Sequence, residues 1–235
     1  MVVASFREGV YLRPAVVHLT CLNYRARALP IMAVEVDVKH VVILAHPNRH
    51  SFNGTLAAAY SNAAKLIGDQ VLLRDLYGLD FKPVLQVGEL PFGPHFSPGE
   101  DVVAERALIA DADVYALVYP LWLNAPPAMM KGYVERVFGY GFAYGKGGGG
   151  SEPLLTDKKL ISITTSGAPT RWLHETGGLE AVRVLFDRHF AEVCGLTVVD
   201  HLHFGGIVPG IRDDAVERMA DDVAGVVRKH FKNVK

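Results

Sequence analysis

Three segments combine hydroxyl, amide and imidazole side chains with proline or glycine in a way that could hold a phosphate and a flat ring. The first reads His46-Pro47-Asn48-Arg49-His50-Ser51-Phe52-Asn53. It follows an apolar run and precedes helical spacing, so the first amides of that helix would face the loop and could bind an anion. The segment is not a G-x-G-x-x-G turn and has no Walker lysine followed by serine or threonine. His46, Ser51 and Asn53 are then the candidate donors, although an N-cap at Ser51 or Asn53 beside a surface histidine accounts for the same residues. The second segment, Tyr119-Pro120-Leu121-Trp122-Leu123-Asn124-Ala125-Pro126-Pro127, offers an aromatic side chain and backbone amides to a planar ligand; Trp122 in the core is the plain alternative. The third, Thr164-Thr165-Ser166-Gly167-Ala168-Pro169, brings small hydroxyls and a glycine that permits close backbone approach, or else a simple strand-to-loop turn.

Other chemistry-bearing residues read more plainly. Gly145-Lys146-Gly147-Gly148-Gly149-Gly150-Ser151 looks phosphate-binding, but it neither ends an expected strand nor opens a helix, so we read it as a flexible loop. His201-Leu202-His203 suits a metal no better than it suits alternation on a strand. Cys21 and Cys194 build neither a disulfide framework nor a C-x-x-C site. A reducing compartment, the cytoplasm, and no metal are the expectations. Lysine plus arginine (24) nearly balances aspartate plus glutamate (25), which gives no support for nucleic acid or an anionic membrane as partner. No apolar run reaches the roughly 18 residues of a membrane span.

These segments need elements to place them. Apolar, β-branched runs at 40–45, 70–75, 113–119, 159–165 and 196–201 read as strands. Helical spacing covers 51–67, closed by Gly68, then 97–109, where Ser97-Pro98-Gly99-Glu100 reads as a capping box. Further helices are expected at 126–137, at 178–194 with Gly195 as its stop, and at 213–230. Residues 76–97 form a long connection rich in proline and glycine, of a kind that is often functional. Five strands alternating with helices imply an α/β, doubly wound parallel sheet of order 2-1-3-4-5 with helices on both faces. Ligands bind such sheets beyond the carboxyl ends of the strands, near the switch between the first and third. Loops 46–53, 120–126 and 165–175 are therefore the places to look. Residues 1–37 show no clean period; we read them as an N-terminal extension outside the fold, from a start codon set too early, with an ordered arm on a partner subunit as the competing reading. Residues 38–235 then form one domain.

The motifs converge on a family. Tyr119-Pro120-Leu121-Trp122 followed by Pro127-Ala128-Met129-Met130-Lys131-Gly132-Tyr133-Val134-Glu135-Arg136-Val137-Phe138 resembles the NAD(P)H:quinone oxidoreductases, that is DT-diaphorase and its shorter bacterial relatives. So do Ala45-His46 with Ser51-Phe52-Asn53, Gly141-Phe142-Ala143-Tyr144, and Ser162-Ile163-Thr164-Thr165. Each string alone is weak; four in register over roughly residues 40 to 205 are specific.

The resemblance implies a flavodoxin-like fold with a flavin at the switch point. His46, Ser51, Phe52 and Asn53 would surround its phosphates and ribityl chain. Pro120, Leu121, Trp122 and Leu123 would line the ring edge, and Thr164, Thr165, Ser166 and Gly167 its pyrimidine side. Trp172 matches another flavin-side aromatic. Tyr144 looks like the active-site tyrosine that reaches the quinone from the other subunit of a homodimer, and His174 matches a catalytic-centre histidine only after a shift. The implied cofactor is FAD, with FMN as the alternative because the long C-terminal extension of the animal enzymes has no counterpart. NADPH or NADH would give a hydride to the flavin, and a quinone would take it in a ping-pong cycle. The sequence departs from the family at Leu123 and Asn124, where aromatics are common, and at Lys146, which replaces a second tyrosine. A different class, the flavoprotein subunit that regulates a potassium-efflux antiporter, is the alternative, with loop 76–97 as a peripheral contact to the transporter. A single-electron carrier of the flavodoxin type fits less well, because such carriers are strongly acidic.

Overall fold

The computed structural model describes residues 37–232 apart from 92, 94 and 149; the expected extension over 1–37 lies outside the described residues but for its last. Strands β1 (Lys39–Leu44), β2 (Gln70–Asp75), β3 (Val114–Pro120), β6 (Lys159–Thr165) and β7 (Thr197–Phe204) make one parallel sheet of order β2-β1-β3-β6-β7. Taken in their own succession these strands run 2-1-3-4-5. Between β3 and β6 in the chain lies a separate antiparallel hairpin, β4 (Tyr144–Gly147) with β5 (Gly150–Pro153), paired from Tyr144↔Pro153 to Gly147↔Gly150. The glycine-rich stretch expected to be a flexible loop is therefore the tip of a ribbon. Glycine packs poorly in strands, so composition hid the pairing.

The sheet is buried on both faces, as its unbroken apolar strands require. Alternation along β1 sends Val41 and Ile43 to one core and Val42 and Leu44 to the other. The second core is covered by α1 (Phe52–Leu66) and α7 (Asp213–Phe231), through Leu56, Tyr60, Val223 and Val227. The first is covered by α2 (Glu100–Ile109), α3 (Ala128–Val137) and the helical run 178–194. That run is not the single helix expected. It breaks into α5 (Gly178–Val182), a π-helical turn (Arg183–Arg188) and α6 (His189–Cys194). Asp187, on the π turn, is buried against the sheet and accepts a hydrogen bond from the Ser162 hydroxyl at 2.7 Å. A short helix missed by the periodicity, α4 (Thr170–Glu175), starts straight after Pro169.

One strand carries an irregularity. Leu160 pairs with Val198, but Ile161 pairs with Asp200, so Val199 is an extra residue on β7. Beyond this bulge His201 and His203 lie opposite Ser162 and Thr164, while Leu202 and Phe204 pack on the α1–α7 side.

The long connection 76–97 is tied down by charge. Arg136 donates from Nε to Glu89 at 2.9 Å and from Nη1 to Asp101 at 2.7 Å. Glu89 sits on a 3-10 turn (Val87–Glu89) and also accepts from the amides of Gln86 at 2.9 Å and Gly99 at 3.2 Å. The capping box lies here, at Gln86 and Glu89. The one expected at Ser97 does not form: α2 starts behind Gly99 with no side-chain cap of its own, because Glu89 takes the Gly99 amide from across the loop. Among the described residues no helix is long and apolar enough to cross a membrane.

Candidate active site

The cleft forms where β1, β3, β6 and β7 end. Backbone hydrogen bonds continue past each strand and fix the loops: Ala45 to Val118 at 3.0 Å, Leu121 to Thr165 at 2.6 Å, and Ser166 to Phe204 at 3.0 Å. Asx geometry shapes the first loop, with the His50 amide donating to the Asn48 side chain at 2.9 Å. His46 Nδ1 lies 3.0 Å from both the amide nitrogen and the carbonyl oxygen of Asn48, which holds the ring against the loop. Ser51 caps α1, its Oγ accepting the Gly54 amide at 3.2 Å. Gly54 must be glycine: a Cβ there would stand 2.1 Å from the Arg49 carbonyl oxygen. Asn53 is buried and its amide donates to Thr165 Oγ1 at 3.0 Å, locking the start of α1 to the end of β6.

The second loop is a two-residue turn. Trp122 and Ala125 exchange backbone hydrogen bonds of 3.0 and 3.1 Å around Leu123 and Asn124. Both turn residues are left-handed, at φ 53° and 58°, as a type I′ turn requires. Leu123 is fully exposed. The turn holds Trp122 edge-on to His46, with ring centroids 5.9 Å apart.

A cavity of about 510 Å³ gathers ten of the fifteen residues expected at the site. His46, Ser51, Phe52 and Asn53 come from the first loop, and Pro120, Leu121 and Trp122 from the second. Thr165, Ser166 and Gly167 come from the third. Trp122 is half exposed on the cleft wall and is not core. The other five are not brought in. Thr164 is fully buried beneath the cleft, and Leu123 points to solvent. Trp172 and His174 are exposed on α4, outside the cavity lining. Tyr144 lines a different cavity, of about 330 Å³, with Tyr140, Arg106 and Phe96.

The sequence reading missed Asn48 and the segment from Ile207 to Ile211, which close the cavity on the β7 side. A signal was present. Gly205-Gly206 and Pro209-Gly210 follow the fifth strand, whose end lies at the same edge of a parallel sheet. Also missed was a set of polar side chains under the third loop. His201 Nε2 and His203 Nδ1 each lie within 2.9 Å of Thr164 Oγ1. His203 Nε2 lies 3.1 Å from Ser166 Oγ. Burial, with help from the neighbouring His201, Arg183 and His174, pushes the His203 ring down to about 4. Among the described residues no cluster of acidic, imidazole or thiol groups could hold a metal ion.

A parallel α/β sheet with its cleft at the switch point, walled by a helix N-terminus, defines a fold of the flavodoxin class. Residues 38–226 match the Flavodoxin_2 family, described as a flavodoxin-like fold, and the chain belongs to it. The chain is 34% identical over 171 residues to an uncharacterized NAD(P)H oxidoreductase of Haemophilus influenzae, covering 72% of this chain and 85% of that one. It is 33% identical over 151 residues to NAD(P)H dehydrogenase (quinone) 1 of Rattus norvegicus, and spans 53% of that protein's length. The solved NAD(P)H:quinone oxidoreductase from Methanothermobacter marburgensis superposes with a TM-score of 0.72 at 26% identity, over 83% of this chain and 97% of that one. The resemblance drawn from the motifs is borne out by these matches.

Proposed function

We propose that the protein is a flavin-dependent NAD(P)H:quinone oxidoreductase that uses FMN. The observation that carries the reading is the single cleft into which the α1 N-terminus, the Trp122 turn and the Ser166–Gly167 loop converge. Its size falls within the roughly 300–1,000 Å³ usual for small-molecule sites. The parts fit a flavin mononucleotide in order. The first-turn amides of α1 suit a terminal phosphate. The polar side chains of Ser51 and Asn48 suit a hydroxylated chain. Trp122 and the backbone of Pro120 and Leu121 suit a flat ring, with Ser166 and Gly167 small enough for close approach. FAD would need a further slot for adenine.

A bound flavin supplies the two-electron chemistry, with NAD(P)H as hydride donor and a quinone as acceptor. The chain's own residues do the rest. Backbone amides of the turn and of the third loop are fixed donors for charge that develops at the ring edge. Trp122, half exposed on the cleft wall, offers one face that donor and acceptor would occupy in turn. Tyr144, which lines another cavity of its own chain, would serve the cleft of a second copy in a homodimer, its phenol donating to a quinone oxygen.

The absorption spectrum tests this first. The purified protein, supplied with FMN, is expected to be yellow and to bleach on anaerobic addition of NADPH. Chromatography of the heat-released flavin then separates FMN from FAD. A protein that takes up neither flavin and reduces no quinone would sink the proposal.

A further inference from the structure

One buried chain of hydrogen bonds joins the outer surface to the cleft. It starts at Asp187 on the π turn, which accepts from Ser162 and pairs with His201 Nδ1. From His201 Nε2 it passes to Thr164 Oγ1 at 2.8 Å, from there to His203 Nδ1 at 2.9 Å, and from His203 Nε2 to Ser166 Oγ at 3.1 Å. Ser166 lines the large cleft and also has the Ala168 carbonyl within 2.7 Å. At the other end, Asp187 and His201 touch the floor of a surface cleft lined by Glu180, Arg183, Arg188 and Asp200. The geometry points to a proton relay: Asp187 and His201 hold a proton drawn from solvent, and Thr164, His203 and Ser166 pass it to the acceptor in the cleft.

Two arrangements keep the chain continuous; the Thr164 hydroxyl also has the Leu202 carbonyl oxygen at 3.4 Å, and turning there interrupts it. Thr164 has one hydroxyl hydrogen for two imidazoles. When His201 carries both ring protons, Nδ1–H donates to Asp187 and Nε2–H donates to Thr164. Thr164 then donates to His203 Nδ1, His203 Nε2–H donates to Ser166, and Ser166 donates to Ala168 or to an acceptor in the cleft. When His201 is neutral, every bond between it and Ser166 reverses. Ser166 donates to His203 Nε2, His203 Nδ1–H donates to Thr164, and Thr164 donates to His201 Nε2. Passing from the first state to the second removes one proton from His201 and delivers one to the cleft, with no electron moved. The inference rests on the function proposed above, which needs that proton: NAD(P)H, a quinone and one proton give NAD(P)⁺ and a hydroquinone. The relay resets when the two hydroxyls and the two ring tautomers turn back and solvent re-protonates His201.

The surroundings suit these roles. His203 is held neutral, as a conducting link must be, by its burial and by the positive groups His201, Arg183 and His174 that face it from β7, the π turn and α4. His201 faces the Asp187 carboxylate, receives an Arg183 Nη2 hydrogen bond on its carbonyl at 3.3 Å, and follows Asp200, which His230 of α7 meets at 3.1 Å. Thr164 touches neither cleft, so Thr164→Val breaks the chain at its middle while nearly conserving shape.

Two measurements on the full chain test the relay. Steady-state kinetics with NADPH and 2-methyl-1,4-naphthoquinone separate the two half-reactions. In T164V, kcat/KM for the quinone is expected to fall tenfold or more at pH 8, kcat/KM for NADPH to stay within twofold, and T164S to restore both. Nitrogen NMR of the histidine rings is expected to show His203 changing from the Nδ1–H to the Nε2–H form as His201 gains its proton, and in T164V to show no such change. Equal losses in both arms that T164S does not repair, or no loss in either, overturn the relay. A parent protein that reduces no quinone overturns the function and the proton's destination together. A working quinone reductase whose His203 keeps one tautomer at every pH overturns the relay alone.

Discussion

Leu123 shows how a single residue can be out of place for its own stability and in place for the site. A leucine in the left-handed region costs about 1–2 kcal/mol, and here nothing is recovered by packing because the side chain is fully exposed. Leu123→Asn is therefore expected to raise the free energy of unfolding by about 1 kcal/mol, read from urea melts. FMN affinity should stay within twofold, since what the turn offers the cleft is backbone and Trp122. Strain of this kind gathers at functional loops. The sequence shows the residue types of this turn but not its handedness, because neither position is a glycine. That is why Leu123 could be expected to line the ring when it points away. The same limit applies to Thr164 and Thr165, adjacent hydroxyls of which only the second reaches the cleft. Alternation separates them, but the facing of each was visible only once the strand's partners were known.

Helix α1 is the element the cleft depends on, and its entry has little freedom. Ser51 caps it, Asn53 pins it to β6, and Gly54 lets the chain pass within contact of the Arg49 carbonyl. Gly54→Ala must push the loop aside. A loss of about 2–3 kcal/mol in stability, together with at least tenfold weaker FMN binding by fluorescence titration, is expected. Undiminished binding would detach the phosphate from this helix. The strand and helix that flank this loop were legible from the apolar run at 40–45 and the spacing of Leu56, Ala57, Tyr60, Ala63 and Ala64. The capping box at Ser97 misled because sequence pattern cannot see Glu89 reaching the Gly99 amide from ten residues away. The π turn was hidden for a related reason: its apolar stripe continues on either side, and the extra residue is betrayed only by the acid at Asp187 turning inward.

At the scale of the molecule, charge buried on either side of the sheet makes folding sensitive to acid in two stages. His203 is held near 4 and His40 is also lowered, first by burial, so both are neutral when folded. Unfolding lets them take protons at their ordinary value of 6.5. Stability present above pH 6.5 is thus lost as pH falls, toward 4 in the case of His203. Glu89 is held at about 2, chiefly by hydrogen bonds from Arg136, against an ordinary 4.5. Its contribution is complete above pH 4.5 and disappears as pH falls toward 2. Urea midpoints measured across this range should show both declines. Arg136→Met should remove the lower one and cost about 3–5 kcal/mol at neutral pH by stranding the Glu89 carboxylate. Absence of both declines in the parent protein would mean that these groups titrate in the folded chain as they do in water.

The extra residue on β7 fixes a parity. Every side chain beyond Val199 stands on the face it occupies because one position was added to the count, and the count acts as a reading frame does. Were the bulge smoothed out with its residue kept, Val199 would pair with Ile161, each later residue would slip one place, and the two imidazoles would exchange faces with Leu202 and Phe204. The polar pair would then be turned into the oily layer under α7, and the oily pair set against Thr164 and Asp187. Deleting Val199 instead takes out the bulge and leaves every pair beyond it in place. Point substitutions can tune the imidazoles one at a time, but only a slip of register can move them across the sheet.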